Sequence, residues 1–217
     1  MKVAVIGASG LIGGYLVQHL LAEPSVQHVK ILVRKKIDLA HDKLEQVLVN
    51  FEDPTTLQTA LKGTDAVCVA VGTTQAKVKG DMAAYRKVDY DIPVNSARAA
   101  ANQACGLYLL VSSVGADANA SNFYLKLKGE VEDEIKKMDL PSTFIFRPSM
   151  LLGNRAEFRL GERIGQGVMR VFNWLIPSKY KAINASDVAR SMVRCCLEQR
   201  PPKWNILEYH QIMAKLK

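Results

Sequence analysis

Tyr124 and Lys128 stand at positions i and i+4, and on a helix that spacing puts both side chains on one face. A tyrosine phenol titrates near about 10 and is a poor proton carrier at neutral pH. A neighbouring ammonium favours the phenolate and brings the group toward general acid–base work. Ser112 and Ser113 come shortly before Tyr124, at the end of a predicted strand. A hydroxyl there is placed to hold a substrate carbonyl, Ser113 being the candidate, while the tyrosine protonates it. This is the only Tyr-x-x-x-Lys in the chain. The set amounts to the proton-transfer half of a carbonyl–alcohol interconversion and needs a hydride carrier beside it.

The opening stretch, from Lys2 to Arg34, supplies a place for one. Val3–Ile6 read as a strand, followed by a glycine turn (Gly7-Ala-Ser-Gly10-Leu-Ile-Gly13-Gly14), a helix to about Ala22 and a second strand over Val29–Val33. In such a βαβ unit the first glycine makes the tight turn. The second lets backbone approach a pyrophosphate, and the third lets helix and strand pack closely. The helix then offers its free N–H groups to the phosphates. Gly7, Ser9, Gly10, Leu11, Ile12 and Gly13 are the expected contacts. The spacing G-x-x-G-x-x-G is one residue wider than the usual fingerprint, and a plain structural turn is the competing reading. At the end of the second strand, where an acid would hold the ribose 2′-hydroxyl of NAD, the chain has Arg34, Lys35 and Lys36. Guanidinium suits a 2′-phosphate. NADP(H) is therefore expected over NAD(H), against the alternative of a solvated basic loop.

These groups must be positioned by a sheet. Short apolar runs at Val47–Val49, Ala66–Val71, Leu107–Val111 and Thr143–Phe146 alternate with helical patterns at about Pro54–Leu61, Asp81–Gln103 and Phe123–Met138. Near-continuous apolar strands are buried on both faces, as in a parallel sheet covered by helices on each side. The expected fold is α/β, a three-layer αβα Rossmann arrangement with a doubly wound sheet in the order 3-2-1-4-5-6. Pro93 predicts a kink, or a break near Asp91, in the third helical stretch. Asp187 is expected to cap or begin a helix over Val188–Glu198, and Trp204–Tyr209 a last strand. Ligands of such sheets lie beyond the strands' carboxyl ends. That rule marks the loops at Gly7, Asn50-Phe51, Gly72-Thr73-Thr74, Ser112-Ser113 and Arg147-Pro148-Ser149.

Bulk properties narrow the classes. With 217 residues, 48% hydrophobic and 23% charged, the chain fits one well-cored globular domain rather than a disordered protein. Its four cysteines include an adjacent pair and no metal-ligand spacing, so reduced thiols and no metal are expected. The net charge of +8 raises the question of an anionic partner. The charges are scattered and lack a nucleic-acid-binding signature, and attraction for a phosphate-rich cofactor or an acidic substrate accounts for the sign. No apolar run is long enough to cross a membrane, and the first strand begins at Val3. The expectation is a cytoplasmic protein without signal peptide or membrane span, a monomer or homodimer acting on a small molecule.

Taken together, Gly7-x-x-Gly10-x-x-Gly13, Val111-Ser-Ser-Val-Gly-Ala-Asp117, Tyr124-Leu-Lys-Leu-Lys128-Gly129-Glu130 and Phe146-Arg-Pro-Ser-Met-Leu-Leu-Gly153 resemble the short-chain dehydrogenase/reductase superfamily. Gly72-Thr-Thr-Gln-Ala-Lys77, Tyr85-Arg-Lys-Val-Asp-Tyr90 and Glu157-Phe-Arg-Leu-Gly-Glu162 resemble its atypical branch, which contains the Tat-interacting-protein-like oxidoreductases. The resemblance covers nearly the whole chain. It implies NADP(H) binding and a catalytic Ser113–Tyr124–Lys128 set, with Lys128 also holding the nicotinamide ribose. It further implies Pro148 and Ser149 at the nicotinamide, Asn50 and Phe51 near the adenine, and Gly72, Thr73 and Thr74 along the cofactor, with Ser112 beside it. One departure stands out: many relatives carry an asparagine in the fourth helix that supports the lysine through water, and here Asp89 takes that place. An NADP(H)-binding regulatory or sensor protein is the alternative function.

The stretch 154–181 does not continue the alternation. Arg155, Arg159 and Arg163 fall at i, i+4 and i+8 among apolar residues. It is expected to cover the substrate site and to favour an acidic or apolar carbonyl. A solvated arginine face on a packed helix, or a helix on a membrane surface, are the competing readings.

Overall fold

The structure is a computed structural model and describes residues 1–153, 177–199 and 202–217. Among the described residues seven strands form one all-parallel sheet: β1 (Lys2–Ile6), β2 (His28–Val33), β3 (Leu44–Leu48), β4 (Ala66–Val69), β5 (Leu107–Val111), β6 (Thr143–Phe146) and, numbered in chain order after a small pair, β9 (Trp204–Leu207). Their order is β3-β2-β1-β4-β5-β6-β9, the expected doubly wound order with one strand added beyond β6. The small pair is β7 (Leu151–Leu152) with β8 (Ile183–Asn184), also parallel.

The two faces of the sheet divide its apolar residues by strict alternation. Val3, Val5, Cys68, Leu109, Phe144 and Phe146 lie on one side, against α1 (Leu11–Ala22) and α6 (Ala185–Cys196). Ala4, Ile6, Val67, Val69, Tyr108 and Ile145 lie on the other. There they meet α2 (Pro54–Leu61), α4 (Ile92–Asn102) and α5 (Phe123–Lys136). Period-two side chains with both faces covered leave no polar face to the central strands. This is the three-layer αβα arrangement. On the α1 side Cys68 and Cys196, 128 residues apart, bring their sulfurs to 3.7 Å, a proximity that sequence spacing did not show.

Local chemistry sets the helix starts. Asp53 caps α2 through Thr55 N–H with Pro54 following it, and Asn122 caps α5 through Leu125 N–H. The third helical stretch is interrupted: α3 (Met82–Arg86) runs into a π-helical turn, Lys87–Asp91, before α4 begins. Pro93 removes a donor and crowds the preceding turn, and the widened turn accommodates it. The boundaries differ elsewhere too. β3 is Leu44–Leu48 rather than Val47–Val49, because an edge strand carries polar residues. The side-chain amide of Gln46 bonds to the backbone of Ile37 and Leu39 there. β4 stops at Val69. α6 begins at Ala185, ahead of Val188, with Asp187 in its first turn. The last strand ends at Leu207, because Glu208 and Gln211 make a reciprocal capping box that opens α7 (Tyr209–Ala214).

Candidate active site

Parallel strands place all their carboxyl ends on one edge, so the loops after β1, β3, β4, β5 and β6 gather there. At the first of them the glycines are sterically required. Gly7 has φ +96°, and a Cβ on it would lie 2.5 Å from Ala70 O; a Cβ on Gly13 would lie 2.0 Å from Gly7 O. Loop and helix are pressed together, with Gly10 N–H bonded to Gly7 O at 2.9 Å. Gly10 is the N-cap of α1, no side chain caps that end, and its first turn carries no acid. Ser9 and Gly10 are exposed, Leu11 is half-buried and Ile12 buried. An uncapped helix start behind an exposed glycine turn is the donor set that a pyrophosphate needs, so these residues fit a dinucleotide.

One strand over, Arg34 and Lys35 are exposed directly after β2. Beyond β3, Asn50 is exposed and Phe51 half-buried against the α2 side of the core. The Asn50 carbonyl receives the Thr56 hydroxyl at 2.7 Å, which fastens that turn to α2. Gly72 is exposed and Thr73 and Thr74 half-buried after β4.

α5 is drawn close to the β5 loop at Gly129, where a Cβ would lie 2.1 Å from Ala118 N. The Asp117 N–H bonds to Leu125 O at 3.2 Å, so the start of α5, which carries Tyr124 and Lys128, packs on the loop after β5. The two serines have different surroundings. Ser112 is buried and its Oγ donates to Glu132 Oε1, while Arg147 donates to both oxygens of the same carboxylate. Ser113 is half-buried, and among the described residues its hydroxyl makes only a long 3.3 Å contact with Val114 O. Val114 N–H bonds to Pro148 O at 3.1 Å, which joins the β5 and β6 loops. Pro148 is buried, and Ser149 Oγ donates to Lys181 O.

Tyr124 is 37% exposed, whereas Lys128 is 4% and Asp89 1% exposed. Lys128 Nζ lies 2.9 Å from Asp89 Oδ1 and 5.8 Å from the centre of the Tyr124 ring. Asp89 Oδ2 accepts the Thr73 N–H at 2.7 Å. Burial pulls the Lys128 pKa down. Asp89, Tyr124 and Glu132 together outweigh it, Asp89 most of all, and the result lies above the usual lysine value. A raised lysine pKa adds stability that is complete below the unfolded value of about 10.4 and is lost as pH rises through the folded one. The pair is thus intact throughout the neutral range.

The loops marked from the sequence lie at this edge, Arg147 among their residues, but Glu132 and its pairing with Arg147 were missed, and Asp89 was treated only as a departure. Glu132 was visible in principle: Tyr124, Lys128 and Glu132 follow at i, i+4 and i+8 on one face of α5. Of the proposed cover, Arg155, Arg159 and Arg163 lie outside the described residues. Among the described residues no helix is long and apolar enough to cross a membrane.

The profile of a family described as NAD(P)H-binding matches residues 7–199. Over 199 residues the chain is 34% identical to the Candida albicans protein "FMP52, mitochondrial", with 88% of this chain and 85% of that one covered. Over 218 residues it is 30% identical to the Rattus norvegicus protein HTATIP2, covering 98% and 88%. Among solved structures it is similar to the Bordetella bronchiseptica enzyme WbmH in complex with NAD+. That likeness has TM-score 0.72 and 16% identity over 94% of this chain and 74% of that one, and it shows the fold. The cytoplasmic expectation is corrected here, because several fungal relatives carry "mitochondrial" in their names. The early start of the first strand was no guide to compartment.

Proposed function

Since this chain belongs to the NAD(P)H-binding family, in its atypical short-chain dehydrogenase/reductase branch alongside HTATIP2, we propose that it is an NADP(H)-dependent oxidoreductase interconverting a small carbonyl and its alcohol. The observation that supports this most is the buried Lys128 ammonium, 5.8 Å from the ring of the partly exposed Tyr124 at the ligand edge of the sheet. Tyr124 gives or takes the proton at the substrate oxygen. Ser113, the serine whose hydroxyl is not committed to a carboxylate, steadies that oxygen. Lys128 places a positive charge beside the phenol and reaches toward a ribose. The α1 start with Gly7, Ser9, Gly10, Leu11, Ile12 and Gly13 would hold the pyrophosphate, and Arg34 and Lys35 the 2′-phosphate. Asn50 and Phe51 would flank the adenine. Gly72, Thr73, Thr74, Ser112, Pro148 and Ser149 line the remaining path. When bound, the nicotinamide supplies or takes the hydride. The substrate is a small acidic or apolar carbonyl, and the names of the fungal relatives support a mitochondrial site of action.

A second reading is an NADP(H)-binding regulatory protein with little turnover. It is favoured by Asp89, whose carboxylate shares the charge that Lys128 would otherwise direct at Tyr124. NADPH oxidation with a panel of carbonyls separates the two. Tyr124→Phe is expected to lower turnover by about a hundredfold or more and to leave NADPH binding intact. Turnover unchanged in that variant, or absent with every carbonyl in the native protein, would sink the oxidoreductase reading.

A further inference from the structure

Asp89 is the point where two parts of the ligand edge meet. Its Oδ1 faces the Lys128 ammonium on α5 at 2.9 Å, and its Oδ2 takes the Thr73 N–H of the β4 loop at 2.7 Å. The carboxylate is 1% exposed and Lys128 4%, so water does little to screen either charge. The residue sits in the middle of the π-helical turn Lys87–Asp91, a local geometry that re-aims side chains and gathers at functional sites. Gly72 lies against it, since a Cβ there would stand 3.5 Å from Oδ1. The Tyr85 hydroxyl, from α3, approaches Thr73 O at 3.4 Å. The loop is thus held on both sides of one residue.

We infer that Asp89 is a positioning residue that pairs directly with the buried Lys128 ammonium and fastens the cofactor-facing loop at Thr73 to the helix carrying the catalytic pair. This rests on the functional reading only in calling that pair catalytic. Among the described residues the groups that face Lys128 are Asp89 from the π-helical turn and Tyr124 and Glu132 from its own helix. Glu132 is itself held by Arg147 at the end of β6, so Asp89 is the carboxylate free to answer the ammonium. An amide at this position would accept the Thr73 N–H equally well but would bring no charge. Asparagine would therefore keep one of the two tasks that the carboxylate combines, and lose the other. Of the ammonium's three donors, Asp89 takes one among the described residues.

The experiment compares native protein with Asp89→Asn and Asp89→Ala. Lysine side-chain carbons are labelled, and the Lys128 signal is assigned through its backbone connectivity. Without the carboxylate, the lowering by burial loses its strongest opposition. The Lys128 titration is then expected to fall by about one to three units in both variants, to below the ordinary lysine value. Exchange of the Thr73 amide with deuterated water is expected to stay slow in Asp89→Asn and to quicken at least about tenfold in Asp89→Ala. A Lys128 titration unmoved in Asp89→Asn, or a Thr73 amide still protected in Asp89→Ala, overturns the inference. Should Asp89→Ala not fold, adding Lys128→Met removes the stranded ammonium and leaves the Thr73 measurement in place. Neither readout needs turnover, so a protein that reduced no carbonyl would fail the functional reading while leaving this result to stand or fall separately.

Discussion

A Cβ placed on Gly13 would lie 2.0 Å from the carbonyl oxygen of Gly7, so the start of α1 and the end of β1 are in backbone contact. No side chain can be admitted there without moving one of them. Gly13→Ala is expected to cost about 1–3 kcal/mol of stability through overpacking. It should also displace the uncapped N–H groups from the turn. Calorimetric titration with NADPH should show affinity lost by about tenfold or more, and native affinity in a folded Gly13→Ala protein would remove the glycine turn from the cofactor site.

Arg34 tests the choice of nucleotide. A charge-assisted hydrogen bond contributes about 1.5–3 kcal/mol, equivalent to roughly ten- to a hundredfold in dissociation constant. Arg34→Ala should weaken NADPH by that factor and leave NADH where it was. An equal effect on both would show that the guanidinium is a solvated surface group.

Ser112 and Ser113 are adjacent but should fail differently. Ser112→Ala leaves the buried Glu132 with Arg147 but without a hydroxyl donor, and should lower unfolding stability by about 1–3 kcal/mol while costing far less turnover than Ser113→Ala. Ser113→Ala should leave stability alone and lower turnover by about a hundredfold. The opposite pattern, from denaturant unfolding and steady-state rates, would move the substrate-holding hydroxyl to Ser112.

The cysteines should be silent in the folded protein. All four are buried and free. Burial pushes the Cys195 thiol up, and the contact with Cys68, reinforced by burial, does the same to Cys196. The thiolate is the reactive form. A chromogenic disulfide reagent at mildly alkaline pH is therefore expected to find almost no fast-reacting thiol before denaturant and all four after it. A rapid native reaction would show that one of these sites opens readily.

The order of the sheet and the five loops at its ligand edge were legible because they depend on local signals. Near-continuous apolar strands, helix-capping residues such as Asp53 and Asn122, and glycines in a tight turn each act within a short stretch of chain. Tyr124 and Lys128 could be paired for the same reason, one helical turn being a local distance. The π-helical turn was half-legible, since Pro93 announced a break without saying what form it would take. What the chain order could not disclose is which charges meet. Asp89 and Lys128 come from different elements, as do Glu132 and Arg147. Only the crossovers of the parallel sheet bring them into contact. Tertiary structure also distinguished two neighbouring serines, burying Ser112 on a carboxylate and leaving Ser113 half-buried. Residue types and spacing thus determined that the chain carries a dinucleotide turn and a Tyr–Lys pair. Packing decided that the lysine's charge is buried and answered by a carboxylate, because burial and long-range pairing are properties of the assembled layers.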